Sequence, residues 1–196
     1  MCQLFQVDSV QGDTARLGIV EATDQLRQGA LARPIGPENG GDASGGQGEI
    51  QALADGADVL ELDINETIDG VLVVMHDTTV DRTTDCSGAI TDMTFDEIRE
   101  CDAGYNFSPD GGETYPYRGM GLVVPRIEEV FDRYPDAPFV IEIKQEAPSI
   151  IDHFVEVIRE YEVTDKMIGA AFSDDVLIQL REAAPEIASS MGVNET

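Results

Sequence analysis

The chain has 196 residues, 42% of them hydrophobic, which suffices for one globular domain with a substantial core and argues against two. Its formal charge is -27, spread along the whole length, and the 12 basic residues include only two lysines, Lys144 and Lys166. Such a surface repels nucleic acid and anionic membranes, so neither is an expected partner. The longest apolar stretch, 71–75, cannot span a bilayer, and the N-terminus MCQLFQVDSV lacks the basic start and apolar run of a signal peptide. Cys2, Cys86 and Cys101 are odd in number and follow no CxxC or Cys/His spacing, so neither a disulfide framework nor a zinc site is predicted. The sequence thus reads as a cytoplasmic protein in a reducing interior with no membrane insertion.

Taken in chain order, residues 1–36 form a poorly defined N-terminal segment, and 36–48 are crowded with glycine and nearly devoid of apolar residues, so no strand is predicted in the first fifty residues. From about Gly56 onward, short apolar runs alternate with amphipathic stretches, the pattern of β/α units around a parallel sheet. Strands are predicted at Asp58–Asp63, Val71–His76, Phe139–Lys144 and Lys166–Ala171, and their near-continuous apolar character suits burial on both faces. Thr94 with Glu97 three residues later makes a capping box ahead of Ile98. Gly104 to Val124 has no period and reads as a loop insertion. Pro148 opens a helical run with Ile151, Phe154, Val155, Ile158 and Tyr161 on one face, and Ser173 is placed to cap a helix over Asp174 to Ala184. A further strand begins near Ile187.

Three of these strands end in polar groups. Period-two spacing puts Glu61 with Asp63, and Glu142 with Lys144, on one face of their strands, and His76 ends the third. In parallel β/α folds the carboxyl ends of strands gather the active site, so these residues can converge on one pocket. Several carboxylates in a pocket of low dielectric repel one another unless a divalent cation compensates them, and all-oxygen ligation favours magnesium or calcium over zinc.

The string Met75-His76-Asp77-Thr78-Thr79-Val80-Asp81-Arg82-Thr83-Thr84 resembles the glycerophosphodiester phosphodiesterase family. Pro37-Glu38-Asn39, Gly56-Ala57-Asp58, Glu61-Leu62-Asp63, Asp69-Gly70, Gly88, the Pro125 to Val130 segment and Glu142-Ile143-Lys144 follow that family's order and spacing. The resemblance covers roughly residues 37–192 and implies an α/β fold, a TIM-type (β/α) barrel spanning 37–196 with a loop insertion at 104–124. It implies one divalent cation, Mg or Ca, held by Glu61, Asp63 and Glu142. His76 would be an acid/base histidine and Lys144 a cationic contact to the reacting phosphate. The implied activity is metal-dependent hydrolysis of glycerophosphodiesters to glycerol 3-phosphate and an alcohol.

The chain departs from the family pattern in three places. The family's first-strand His-Arg-Gly, whose histidine is the second acid/base partner, is missing: Arg27-Gln28-Gly29 or Ala32-Arg33-Pro34 stands at the corresponding distance. Asn39 is followed by Gly40 instead of Thr, and the glycine-rich stretch weakens the helix expected there by about 1 kcal/mol per position. A complete barrel takes about 250 residues, so the expected barrel is incomplete at its C-terminus and degenerate at its N-terminus, with unpaired edges open to self-association. The other reading is therefore an impaired relative that binds a cation or phosphoester without efficient turnover. His153, the only other histidine, reads as a helix-surface residue.

The acidity also resembles adaptation to high salt. Screening is weak at low ionic strength, where the Debye length reaches about 30 Å at 0.01 M, so the -27 charge should make folding salt-dependent. Thermal melts across a salt series should rise steadily with concentration; a flat melting temperature would contradict this reading.

Overall fold

The computed structural model describes residues 58–108 and 110–192, together with the backbone of a strand at Ile19–Glu21. The sheet is built from β1 (Ile19–Glu21), β2 (Val59–Glu66), β3 (Leu72–Val74), β4 (Phe139–Ile143), β5 (Met167–Ala170) and β6 (Ala188–Ser189). Helices α1 (Phe95–Arg99), α2 (Ile127–Arg133), α3 (Ile151–Glu160) and α4 (Asp174–Ala183) lie between the strands. Strand order is β1-β2-β4-β5-β6, all parallel, with β3 paired antiparallel to β2. A parallel sheet whose successive strands are joined through helices is the architecture of an incomplete TIM-type barrel.

Alternation along β2 sorts its side chains. Leu60, Leu62 and Ile64 face the helices and are at most 1% exposed, while Glu61, Asp63 and Asn65 occupy the other face. The same period gives β4 a helix-facing row of Phe139, Ile141 and Ile143. Against these rows pack Phe131 of α2, Phe154 and Ile158 of α3, and Leu177 and Leu180 of α4, forming one core. Phe131 meets Phe139 edge-on at 5.2 Å between ring centroids. Each such side chain contributes roughly 1.5–3 kcal/mol by leaving water.

A second, smaller core lies under the segment after β3, where Val73, Met75, Val80, Ile90, Ile98 and Val124 pack together. The capping box predicted for α1 is present: the Glu97 N–H donates to Thr94 Oγ1 at 3.3 Å, and the Thr94 N–H donates to the Glu97 carboxylate at 2.8 Å. Residues 104–108 and 110–124 hold turns without helix or strand, and Asn106 seats them on the preceding loop by donating to the carbonyls of Thr84 at 2.7 Å and Asp81 at 3.3 Å. Arg118 is stacked between Tyr105 and Tyr115.

Several expectations need correction. The run Val71–His76 is not a strand of the parallel sheet: only Leu72–Val74 is extended, and it turns back along the C-terminal half of β2, with Ile64 opposite Val74. The tight turn at Asp69-Gly70 causes this, since Gly70 takes φ of 76°, a conformation that favours glycine. A strand does occur in the first fifty residues, at Ile19–Glu21, opposite Val59–Glu61. Pro148 does not open a helix: its peptide bond is cis and α3 starts at Ile151. Ser173 stands at the N-cap of α4 but its side chain makes no cap bond. The strands β4 and β5 alternate between buried and half-buried positions instead of being buried on both faces.

Cys86 and Cys101 are joined in a disulfide, against the expectation that no disulfide framework exists. Their separation of 15 residues carries no motif, but packing of α1 on the loop after His76 brings the Cα atoms to 5.6 Å, within bridging range. The Asp102 N–H donates to Asp85 Oδ1 at 2.8 Å alongside the bridge. No helix among the described residues is long and apolar enough to cross a membrane.

Candidate active site

The register of β2 against β4 sets the site. Asp63 lies opposite Glu142 and Glu61 opposite Val140, so the polar faces of two adjacent parallel strands meet near their carboxyl ends. Glu61, Asp63 and Glu142 each present a carboxylate oxygen within 4.8 Å of the other two. Asp63 is 2% exposed and Glu61 8% exposed, so this charge sits where water screens it poorly.

Lys144, two residues beyond Glu142 on the same face, reaches into the group. Its Nζ lies 2.6 Å from Glu142 Oε1 and 3.0 Å from Asp63 Oδ1. Burial works against its charged form, but the hydrogen bonds and attraction of Glu142 and Asp63 together outweigh that and raise its pKa above the ordinary lysine value. One ammonium balances one of three carboxylates. Asp63 Oδ2 is buried and has no hydrogen-bond partner among the described residues, an expensive arrangement for a carboxylate unless a cation supplies the missing interaction. A compact all-oxygen donor set with a buried, unsatisfied oxygen fits a divalent cation.

His76 lies two residues past the end of β3 and is half exposed. The Met75 N–H donates to the Asp63 carbonyl at 2.9 Å, which fixes the main chain next to His76 against the strand that carries Glu61 and Asp63. His76 Nδ1 is 2.8 Å from Asp77 Oδ1, and Arg82 donates to both Asp77 oxygens, at 2.5 and 2.9 Å. Hydrogen bonding from Arg82, opposed by burial and reinforced by His76, holds the Asp77 carboxyl down at about 2.

Beside Lys144 opens a cleft of about 380 Å³ whose walls include Asn65, Thr78, Thr91 and Gln145. Phe172, 71% exposed, has its ring centroid 5.3 Å from Lys144 Nζ. His153 is elsewhere: it sits on α3 with Nδ1 2.6 Å from Glu66, whose side chain points to the helix layer and away from the row of Glu61 and Asp63. The loop at Glu38 and Asn39 and the stretch Arg27-Gln28-Gly29 lie outside the described residues.

Of the five side chains named from the sequence, the structure brings Glu61, Asp63, Glu142 and Lys144 together, while the contact of the His76 side chain is with Asp77; Asn65, Asp77 and Phe172 were not among the five. Asn65 was findable, because it continues the period-two row of Glu61 and Asp63. Phe172 has no sequence signal beyond standing just after a strand.

Fold and site together define a protein of the parallel β/α barrel type with a cluster of carboxylates at its strand ends. The chain belongs to the glycerophosphoryl diester phosphodiesterase family, whose profile matches residues 49–194. It is 35% identical over 142 residues to a glycerophosphodiester phosphodiesterase of Caldanaerobacter subterraneus subsp. tengcongensis, covering 70% of this chain and 55% of that one. A Bacillus subtilis glycerophosphodiester phosphodiesterase is 33% identical over 144 residues, covering 67% and 48%. Among solved structures, the glycerophosphodiester phosphodiesterase of Agrobacterium tumefaciens superposes with a TM-score of 0.64 at 32% identity, over 74% of this chain and 58% of that one. An Oleispira antarctica phosphodiesterase in complex with the product sn-glycerol-3-phosphate shares the fold, with a TM-score of 0.57 at 24% identity over 69% and 53%. The chain spans about half the length of the curated relatives it matches.

Calorimetric titration with magnesium and calcium at high salt should show one site, and Asp63→Ala should weaken it by at least tenfold. Binding by the variant as tight as by the parent would reject the cluster as the cation site.

Proposed function

We propose that this chain is a metal-dependent phosphoric diester hydrolase that cleaves glycerophosphodiesters to glycerol 3-phosphate and an alcohol. The observation that carries the reading is the group of Glu61, Asp63 and Glu142, three carboxylate oxygens within 4.8 Å of one another with Lys144 bonded between two of them. Family membership supplies the reaction class, and the product named for the Oleispira antarctica relative agrees with it.

Glu61, Asp63 and Glu142 hold the cation, magnesium or calcium, in this reading. Bound there, it supplies Lewis-acid charge to the oxygens of the phosphodiester. Lys144 offsets the negative charge that grows on phosphate as the ester P–O bond breaks. His76 takes a proton from the water that forms the new P–O bond and returns one to the ester oxygen as the old bond breaks, so that the alcohol leaves as a neutral molecule. The cleft beside Lys144 gives the substrate room against Asn65, Thr78 and Gln145.

The alternative, a relative that binds cation or phosphoester without efficient turnover, draws on a specific observation. These 196 residues contain two histidines, and the second, His153, is bonded to Glu66 on the helix side of β2. Proton transfer then falls to His76 alone. The cytoplasmic and high-salt readings remain part of the proposal; the Cys86–Cys101 bridge weighs against the reducing interior, since disulfides persist in oxidising surroundings.

Release of glycerol 3-phosphate from glycerophosphocholine, followed with magnesium or calcium present, tests the assignment. Activity should vanish on chelation and fall by about 10² to 10⁴ in His76→Ala. The double substitution Arg27→His and Gln28→Arg, which rebuilds His-Arg-Gly with Gly29, should raise it. Turnover that survives His76→Ala undiminished would overturn the role given to His76.

A further inference from the structure

His76 is a half-exposed side chain on a segment without regular structure, and such an imidazole would ordinarily sample several rotamers and both neutral tautomers. Here two sets of contacts remove that freedom. The first acts on the ring. Asp77 Oδ1 lies 2.8 Å from Nδ1, and Arg82 engages both oxygens of the same carboxylate in a fork, Nε to Oδ2 and a terminal nitrogen to Oδ1. Because Arg82 keeps Asp77 ionised down to about pH 2, the carboxylate can only accept. A hydrogen bond to it therefore needs the proton on Nδ1. The Arg82–Asp77 pair is partly exposed, with 49% and 26% of the side-chain surfaces open, so it adds little stability; its effect is to orient the carboxylate.

The second set acts on the main chain. Asn65 is 1% exposed, and its side-chain amide donates to the carbonyl of Met75 at 2.8 Å and that of Asp77 at 3.3 Å, the residues on either side of His76. Asn65 lies two residues after Asp63 on the same row of β2, so the strand that carries two of the proposed cation ligands also fixes the position of the imidazole.

We propose that Asp77, oriented by Arg82 and anchored with its neighbours by Asn65, is a positioning residue that holds His76 in the Nδ1–H tautomer and leaves Nε2 as the nitrogen that exchanges protons with substrate. This rests on the reading of His76 as the proton-transfer group. The tautomer itself is a property of the folded chain and can be read without substrate.

The test uses the full chain labelled with ¹⁵N in its histidine rings, observed by long-range proton–nitrogen correlation at alkaline pH, with His153→Gln to leave a single imidazole for assignment. His76 should appear as the Nδ1–H form in the parent. Asp77→Ala should move it toward the Nε2–H form, and Arg82→Gln, which keeps the carboxylate but frees it, should move it the same way to a smaller extent. In parallel, Asp77→Ala should lower kcat by up to about 10²-fold, the lower end of what general acid–base assistance contributes, while KM and magnesium affinity by calorimetry stay within twofold. An Nε2–H tautomer in the parent, or spectra unchanged in both variants, would overturn the proposal. Absence of turnover in the parent would instead count against the phosphodiesterase reading, with the ring spectra still deciding the tautomer.

Discussion

The parallel pairing of β2 with β4 is the constraint on which the rest of the structure depends. It sets Asp63 opposite Glu142, and with the two-residue period of a strand it lines Glu61, Asp63, Glu142 and Lys144 on one face while Leu60, Leu62, Phe139 and Ile141 fill the other. Apolar burial on the helix side therefore forces like charges together on the inner side. The Lys144 ammonium relieves part of that repulsion through bonds of 2.6 and 3.0 Å, and the buried Asp63 Oδ2 marks the remainder. The packed core and the proposed chemistry thus depend on the same strand pairing.

The main chain at His76 is held near β2 by a different route. The turn at Asp69-Gly70 sends the chain back antiparallel along β2, and the Met75 N–H bonds to the Asp63 carbonyl, so the residue before His76 is tied to the strand that carries Glu61 and Asp63. The loop that follows is closed by the Cys86–Cys101 bridge, packed on Ile90 and Ile98, and gripped by Asn106. A segment with almost no regular structure thus becomes a fixed support for the imidazole.

What could be read from sequence was what is local. The two-residue period of Glu61 and Asp63, the Thr94–Glu97 capping box and the apolar face of α3 all depend on residues a few positions apart. The antiparallel course of Leu72–Val74 was hidden because an apolar run of that length suits either strand direction, and only the pairing with β2 decides. The Cys86–Cys101 bridge depends on how α1 docks, and the contact of Asp77 with its neighbouring ring depends on Arg82 five residues further on. His76 itself gained its meaning from the family string; no period or spacing marks a lone histidine after a strand as chemical.

The central claim is that the carboxylates at the ends of β2 and β4 form one cation centre. The most direct measurement is a crystal structure of the full chain grown with manganese, which substitutes for magnesium at oxygen sites and scatters anomalously. An anomalous peak bounded by Glu61, Asp63 and Glu142 is the predicted result. A peak elsewhere on this acidic surface, with that cluster empty at saturating manganese, would contradict the account.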